Sequence, residues 1–298
     1  MRDVSGQIVS PGIIDLHTHV YWGGTSLGID ADEFCRTSGV TTSVDTGSAG
    51  PGNFAGFRKH VIEPSQVRIL AYLHVSHAGI FGFSDRVMVG ESEELRLMNP
   101  VDAARVADEN RDLIVGIKVR VGLFASGTSG LVPLEIALEV AEQVGMPLMA
   151  HIDHPPPSYE EVLARLRPGG LFLNHCITRR DNTDTSGAGQ FINRYVFPDG
   201  ELCGAGTVLG AIQDAGMPVL HEESLRPHYA LTLRDWCANL TEHWDECVAE
   251  VGEPTARLWG LYMGACQYGF EDGRVELHHV LAVAPGGEEL PLRPWWAA

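Results

Sequence analysis

Through residue 168 the chain repeats one pattern: a short, mostly apolar run, a turn, then a stretch with apolar positions every three or four residues. The runs at 8–20, 39–46, 67–75, 112–121 and 146–152 predict buried strands. Between them, LVPLEIALEVAEQVG (131–145) places Leu134, Leu138, Ala141 and Val144 on one helical face, with Gly145 as the stop. SYEEVLARLRPGG opens on the capping pair Ser158 and Glu161 and closes at Pro168. Such strand–helix alternation predicts a parallel sheet or barrel.

After about residue 171 the texture changes. One apolar strand (171–177) leads into a polar, Gly-rich loop (181–189), then a helix near 204–215 and a short strand at 218–225. In the long helical stretch that follows, Trp236, Leu240, Trp244 and Val248 recur every four residues and predict a core stripe. A second helix runs from Glu253 to Phe270, and a late strand covers 274–285. The run SGAGQ (186–190) precedes no strand-to-helix turn and reads as a loop.

Composition narrows the function classes. A net charge of −18 excludes a basic nucleic-acid groove and a polybasic lipid anchor. No run approaches the ~20 apolar residues of a membrane span. Six scattered cysteines without a C-x-x-C pair fit neither a disulfide framework nor a zinc finger, so a reducing cytoplasm is expected. Of 21 basic residues only Lys59 and Lys118 are lysine. Each lysine therefore calls for an explanation.

In IIDLHTHV, His17 and His19 stand two apart on a strand, so both imidazoles point to one side. They are either a pair of ligands for a cation such as Zn²⁺ or polar residues at a strand end. In LIVGIKVRV, Leu113, Val115, Ile117, Val119 and Val121 form one face, and Ile114, Gly116, Lys118 and Arg120 the other, the interior of a barrel. A lone interior lysine is costly as a cation. Deprotonated, it can take up CO₂ as a carbamate between two metals, which arginine cannot; the alternative is an ion pair with a nearby acid. His151 ends the strand MPLMAHI, where barrel active sites form, and alone it reads as a loop residue.

These segments, with IVSPGIIDLHTHVYWGGTSLGID, GVTTSVDTGSAGPGNFAGF and MAHIDHPPPSYEEVLARLRPG, resemble the front of a dihydroorotase-like deacetylase of the amidohydrolase superfamily. The resemblance implies two divalent metals, zinc foremost. His17 and His19 would hold one, carbamylated Lys118 would bridge both, and His151 would hold the second. A metal-bound hydroxide would then cleave a small amide, lactam or ester. That family's last barrel strand supplies an aspartate, and nothing after residue 175 resembles that strand. His175 lies near the place of the sixth strand's histidine, with the surrounding letters offset by one, and a slip of one residue reverses a strand's faces.

Read forwards from Leu166, LRPGGLFLNHCITRRDN, FINRYVFPDGEL, SLRPHYALTLRDWCANL and VELHHVLAV resemble the C-terminal part of cyclopropane-fatty-acyl-phospholipid synthases. Those are S-adenosylmethionine-dependent enzymes of Rossmann-like fold. The resemblance implies a bicarbonate that removes a proton from the methylated lipid cation, held by His175, the Ile177 amide and Tyr229. By themselves, His175 reads equally as a satisfied buried histidine and Tyr229 as a packing residue. The glycine turn and ribose-binding acid for S-adenosylmethionine are missing from this half.

Both resemblances meet at LRPG, so the chain reads as a chimera-like join. Residues 1–168 would be an incomplete TIM-barrel-like (β/α) half. Residues 169–298 would be the C-terminal half of a methyltransferase fold, in an open or irregular, mainly parallel sheet. The leading expectation is a metal-dependent amidohydrolase impaired by its missing strands. The alternatives are a lipid methyltransferase and a non-catalytic fusion.

Overall fold

Strands β1 (Ile13–Thr18), β2 (Val40–Thr46), β3 (Arg68–His74), β4 (Ile114–Val121) and β5 (Leu148–Ile152) pair side by side in that order, every pair parallel. Helices α1 (Ala31–Arg36), α2 (Phe54–Phe57, continued by a π turn at Arg58–Ile62), α3 (Pro100–Glu109) and α4 (Val132–Val144) connect them. The computed structural model describes residues 6, 10–36, 38–82, 87–183, 189–197 and 200–287. These elements form one of two units, Met1–Ser158; the other is Tyr159–Ala298.

Local chemistry sets the helix ends of the first unit. Asn99 accepts the Asp102 amide at 3.1 Å, and Pro100 begins α3 where its missing N–H costs nothing. Gly145 closes α4 at φ +65°, the left-handed stop expected of it. Leu134, Ala137, Val140, Ala141 and Val144 of α4 are buried, as are Ile117, Val119 and Val121 of β4, against which α4 packs. Each Val or Leu so buried contributes about 1.5–3 kcal/mol. Strand β4 is covered on both faces, as parallel sheets require. Edge strand β1 departs from the buried strand expected: Ile13, Ile14 and Leu16 are exposed.

The second unit holds a separate, three-stranded sheet of β6 (Leu171–Arg179), β7 (Val219–Ser224) and β8 (Val275–Val283), ordered β6-β8-β7. Strand β8 runs antiparallel to both neighbours. The expected single, mainly parallel sheet is thus corrected to two sheets, one parallel and one antiparallel. Its helices are α5 (Tyr159–Leu163), α6 (Gln190–Tyr195), α7 (Ala205–Asp214), α8 (Arg226–Glu242), α9 (Trp244–Val251) and α10 (Glu253–Asp272). On one sheet face, Val280 and Ala282 pack with Leu163 of α5, Ile212 of α7 and Met217. On the other, Leu277 packs with Ala230 and Leu233 of α8 and Phe270 of α10.

The predicted stripe of Trp236, Leu240, Trp244 and Val248 is not a core. The helical stretch breaks at His243, and Trp236 is 46% exposed. A four-residue repeat drifts around a helix of 3.6 residues per turn, so the stripe cannot stay on one buried side. Most of SGAGQ lies outside the described residues.

Candidate functional site

The first unit gathers titratable groups at the C-terminal ends of its parallel strands. The His17 and His19 rings lie edge to face with centroids 5.7 Å apart, and His19 Nδ1 meets Ser48 Oγ at 3.0 Å. Burial pushes His19 down to about 3, and the positive charges of His17, Lys118 and Arg120 add to it. Burial and then Arg120 and Lys118 bring His151 to about 4. Lys118 is 2% exposed. Burial first and Arg120 second lower its amine to about 8, against the weaker pull of Glu91 and Asp45. Among the described residues no acceptor stands within hydrogen-bond or ion-pair range of that amine. The alternative reading of Lys118, an ion pair with a nearby acid, is not seen among the described residues.

Sequence reasoning missed three members of this cluster, Glu91, His74 and Asp45. Buried Glu91 lies 3.3 Å from Arg120 and 3.5 Å from Nε2 of the buried His74. Asp45 is wholly buried and accepts the Val20, Gly47 and Ser48 amides at 2.8, 3.2 and 2.8 Å. Burial still lifts its carboxyl to about 6. His74 and Asp45 could have been found as polar residues near strand ends. Glu91 sits in a loop without periodicity, where no pattern marks it.

Gly47 explains how tightly the Lys118 stem is held. Its φ is +94°, and a Cβ there would lie 2.5 Å from Lys118 Cγ. Gly47→Ala meets both backbone strain and overpacking, each costing about 1–3 kcal/mol. We expect a loss of about 3 kcal/mol, read as a lower urea midpoint at unchanged slope.

The second unit builds a different face. Strand register places His175 opposite His279, and His279 opposite Glu223, so the three form one row across the sheet. His175 Nδ1 meets His279 Nε2 at 2.6 Å. His175 is exposed, not the buried histidine expected on a buried strand, and partial desolvation with the His279 charge still lowers its pKa. Ile177 pairs with Leu277 one row along on the same face. Tyr229 packs against the cluster containing Leu277, with its ring 4.9 Å from Phe270. Burial raises its phenol pKa, so it stays a hydrogen-bond donor at neutral pH. His175, Ile177 and Tyr229 therefore share one side of the antiparallel sheet. His17, His19, Lys118 and His151 belong to the first unit.

A model of the family described as mycolic acid cyclopropane synthetase matches residues 138–280. The C-terminal region matches the S-adenosylmethionine-dependent cyclopropane and fatty acid methyltransferases. A probable fatty acid methyltransferase of Mycobacterium tuberculosis is 54% identical over 165 residues, covering 54% of this chain and 39% of that protein. A deacetylase of Agrobacterium fabrum is 38% identical over 184 residues, covering 61% of this chain and 44% of that protein. A crystal structure of a dihydroorotase shares 39% identity at a TM-score of 0.49, covering 53% of this chain and 49% of that one. The chain thus spans less than half the length of these curated relatives.

The metal-dependent amidohydrolase expectation is overturned. The family match and the 54% identical relative point to methyl transfer, the alternative reading. The physical reason lies in the ligand set. Among the described residues the parallel sheet ends at β5, with no closing strand to supply the aspartate, and His175 sits in the other sheet. Among the described residues no group of three or more His, Cys, Asp or Glu is placed to hold a metal ion.

The methyltransferase family implies S-adenosylmethionine, whose glycine turn was not found in the sequence. A cofactor cradle needs a glycine turn open to the ligand, between a parallel strand and a helix. In the turn after β1 the Cβ space of Gly24 is filled by the Tyr21 ring while that of Gly23 is open, and in the turn after β2 the space at Gly50 is filled by the Ser76 carbonyl. Gly24 and Gly50 admit the protein's own atoms, and Gly23 is the open position in these turns.

Proposed function

We propose that the chain works through its second unit, as the acceptor-and-anion side of an S-adenosylmethionine-dependent fatty acid methyltransferase. The observation that carries this reading is the family match over 138–280, with His175, Ile177 and Tyr229 on one sheet face. A small anion, bicarbonate by resemblance, would lie between the His175 imidazole, the Ile177 amide and the Tyr229 hydroxyl. His175 Nδ1 is engaged by His279, which leaves Nε2 to face the anion. The neutral phenol of Tyr229 donates to it. An anion so held is placed to accept a proton from a cationic lipid. Exposed Leu171 and Leu173, flanking His175 on the same strand face, offer an apolar bed for an acyl chain.

The proposed substrate is therefore a lipid in place of the small amide or ester first expected. Among the described residues no helix is long and apolar enough to cross a membrane. Six free cysteines support a reducing, cytoplasmic setting. The unreversed order of β1 to β5 supports reading the first unit as part of a (β/α) barrel. The antiparallel strand between β6 and β7 supports reading the second as the closing half of a Rossmann-like methyltransferase sheet.

Titration with ¹³C-bicarbonate beside vesicles of unsaturated phosphatidylethanolamine tests the reading by carbon NMR. We expect saturable broadening of the bicarbonate line, lost in His175→Ala and weakened at least several-fold in Tyr229→Phe. An unbroadened line with the folded wild-type chain rules the reading out.

A further inference from the structure

We propose that a cavity beside α1 in the first unit binds a small organic cation, an alkylated ammonium, against the Trp22 ring and the Asp30 and Asp32 carboxylates. The site shares no lining residue with the strand-end cluster and does not depend on the proposed methyltransferase reading. The loop after β1 is closed by the Ile29 amide on the His19 carbonyl at 3.1 Å. That loop, the Asp30–Asp32 stretch opening α1, the π turn and the residues after it wall a cavity of about 220 Å³. Trp22 forms part of the wall and is 60% exposed; Val61, Pro64 and Ile69 add apolar surface. An indole left this open attracts a cation to its electron-rich face.

Both carboxylates are fixed in place by the chain itself. Asp32 accepts the Ser65 hydroxyl at 2.6 Å and the Gln66 and Val67 amides at 3.0 and 3.1 Å. The Ser65 hydrogen bond first, and then the two amides, hold its carboxyl below the usual range, so it is charged at neutral pH. Asp30 Oδ1 accepts the Asp32 and Glu33 amides at 2.9 and 3.2 Å, and Oδ2 has no hydrogen bond among the described residues. None of the described residues lining the cavity is Lys or Arg. A metal ion needs several ligand atoms converging at about 2 Å, and no such group is placed among the described residues. A methylated ammonium spreads its charge over a partly apolar surface and needs no lone pair at bonding distance, not even from His60 on the rim. A chain charge of −18 favours its approach. The same chemistry is offered by a free ammonium compound and by a lipid headgroup.

Proton NMR of choline titrated with the full chain tests the site. We expect the N-methyl line to move upfield and saturate, as the indole ring current requires of a cation over its face. Trp22→Leu should abolish the shift. Asp30→Asn keeps the helix cap and removes the charge, and should weaken binding about fivefold. In the wild type, the neutral carbon isostere of choline, dimethylbutanol, should bind at least several-fold more weakly than choline. An unshifted N-methyl line, a shift retained in Trp22→Leu, or equal binding of the alcohol overturns the proposal. Once choline binds as expected, dihexanoylphosphatidylcholine below its micelle concentration separates the sources. Binding tighter than choline assigns a lipid headgroup, and binding no tighter assigns a free ammonium compound.

Discussion

Lys118→Met is expected to raise the stability of the protein by about 2–3 kcal/mol at pH 7. Its amine falls from 10.5 to about 8 in the folded chain, chiefly through burial. At about 1.4 kcal/mol per pKa unit, holding it protonated in the fold costs on the order of 3 kcal/mol. The sign follows from proton counts. Between pH 8 and 10.5 the unfolded chain binds more protons at this site, so stability rises with pH there. Below pH 8 both states are protonated and the full penalty stands; above 10.5 it is gone. Methionine fills a similar volume without the charge. Thermal melts at pH 7 should place the variant roughly 5 °C higher, at about 2–4 °C per kcal/mol. The gap should close as pH approaches 10.5. A lower melting temperature at pH 7, or a gap independent of pH, would mean that the amine is stabilised by a partner.

Phe270→Ala is expected to cost about 3–5 kcal/mol, the range for a buried Phe truncated in a core. Phe270 is 2% exposed and joins α10 to α8 and β8 through Ala230, Leu233 and Leu277. The same ring is the platform for Tyr229. Bicarbonate broadening should therefore fall along with the denaturant midpoint in Phe270→Ala, whereas Tyr229→Phe should weaken broadening with little change in stability. If Phe270→Ala lowers the midpoint and leaves the broadening intact, Tyr229 is positioned by other contacts.

Legibility differed between the two units for physical reasons. Every strand of the first unit was visible as an apolar run, and Gly145 was a sound helix stop, because local sterics decide both. The Lys118 environment was half legible. Its interior position followed from strand alternation, whereas its lack of a partner depended on where Glu91 and Arg120 pair. In the second unit, the four-residue recurrence of Trp236, Leu240, Trp244 and Val248 suggested a core that does not form. Burial there is decided by which turn of α8 meets β8 and α10, and Ala230 and Leu233 make that contact.

His175 carries the same lesson for the site. Its neighbours in sequence matched two families and left its partner open. Strand pairing across about a hundred residues put His279 against it and Glu223 beside that.

By itself the sequence determined the order of strands and helices, the helix stop at Gly145, the acidic charge, and which side chains could do chemistry. Those properties depend on neighbours within a few residues. Only the tertiary structure decided that β6 to β8 form an antiparallel sheet apart from the first five strands, that Lys118 lacks an acceptor among the described residues, and that His175 faces His279. Each of these depends on register between distant segments, which is set by the packing of whole elements.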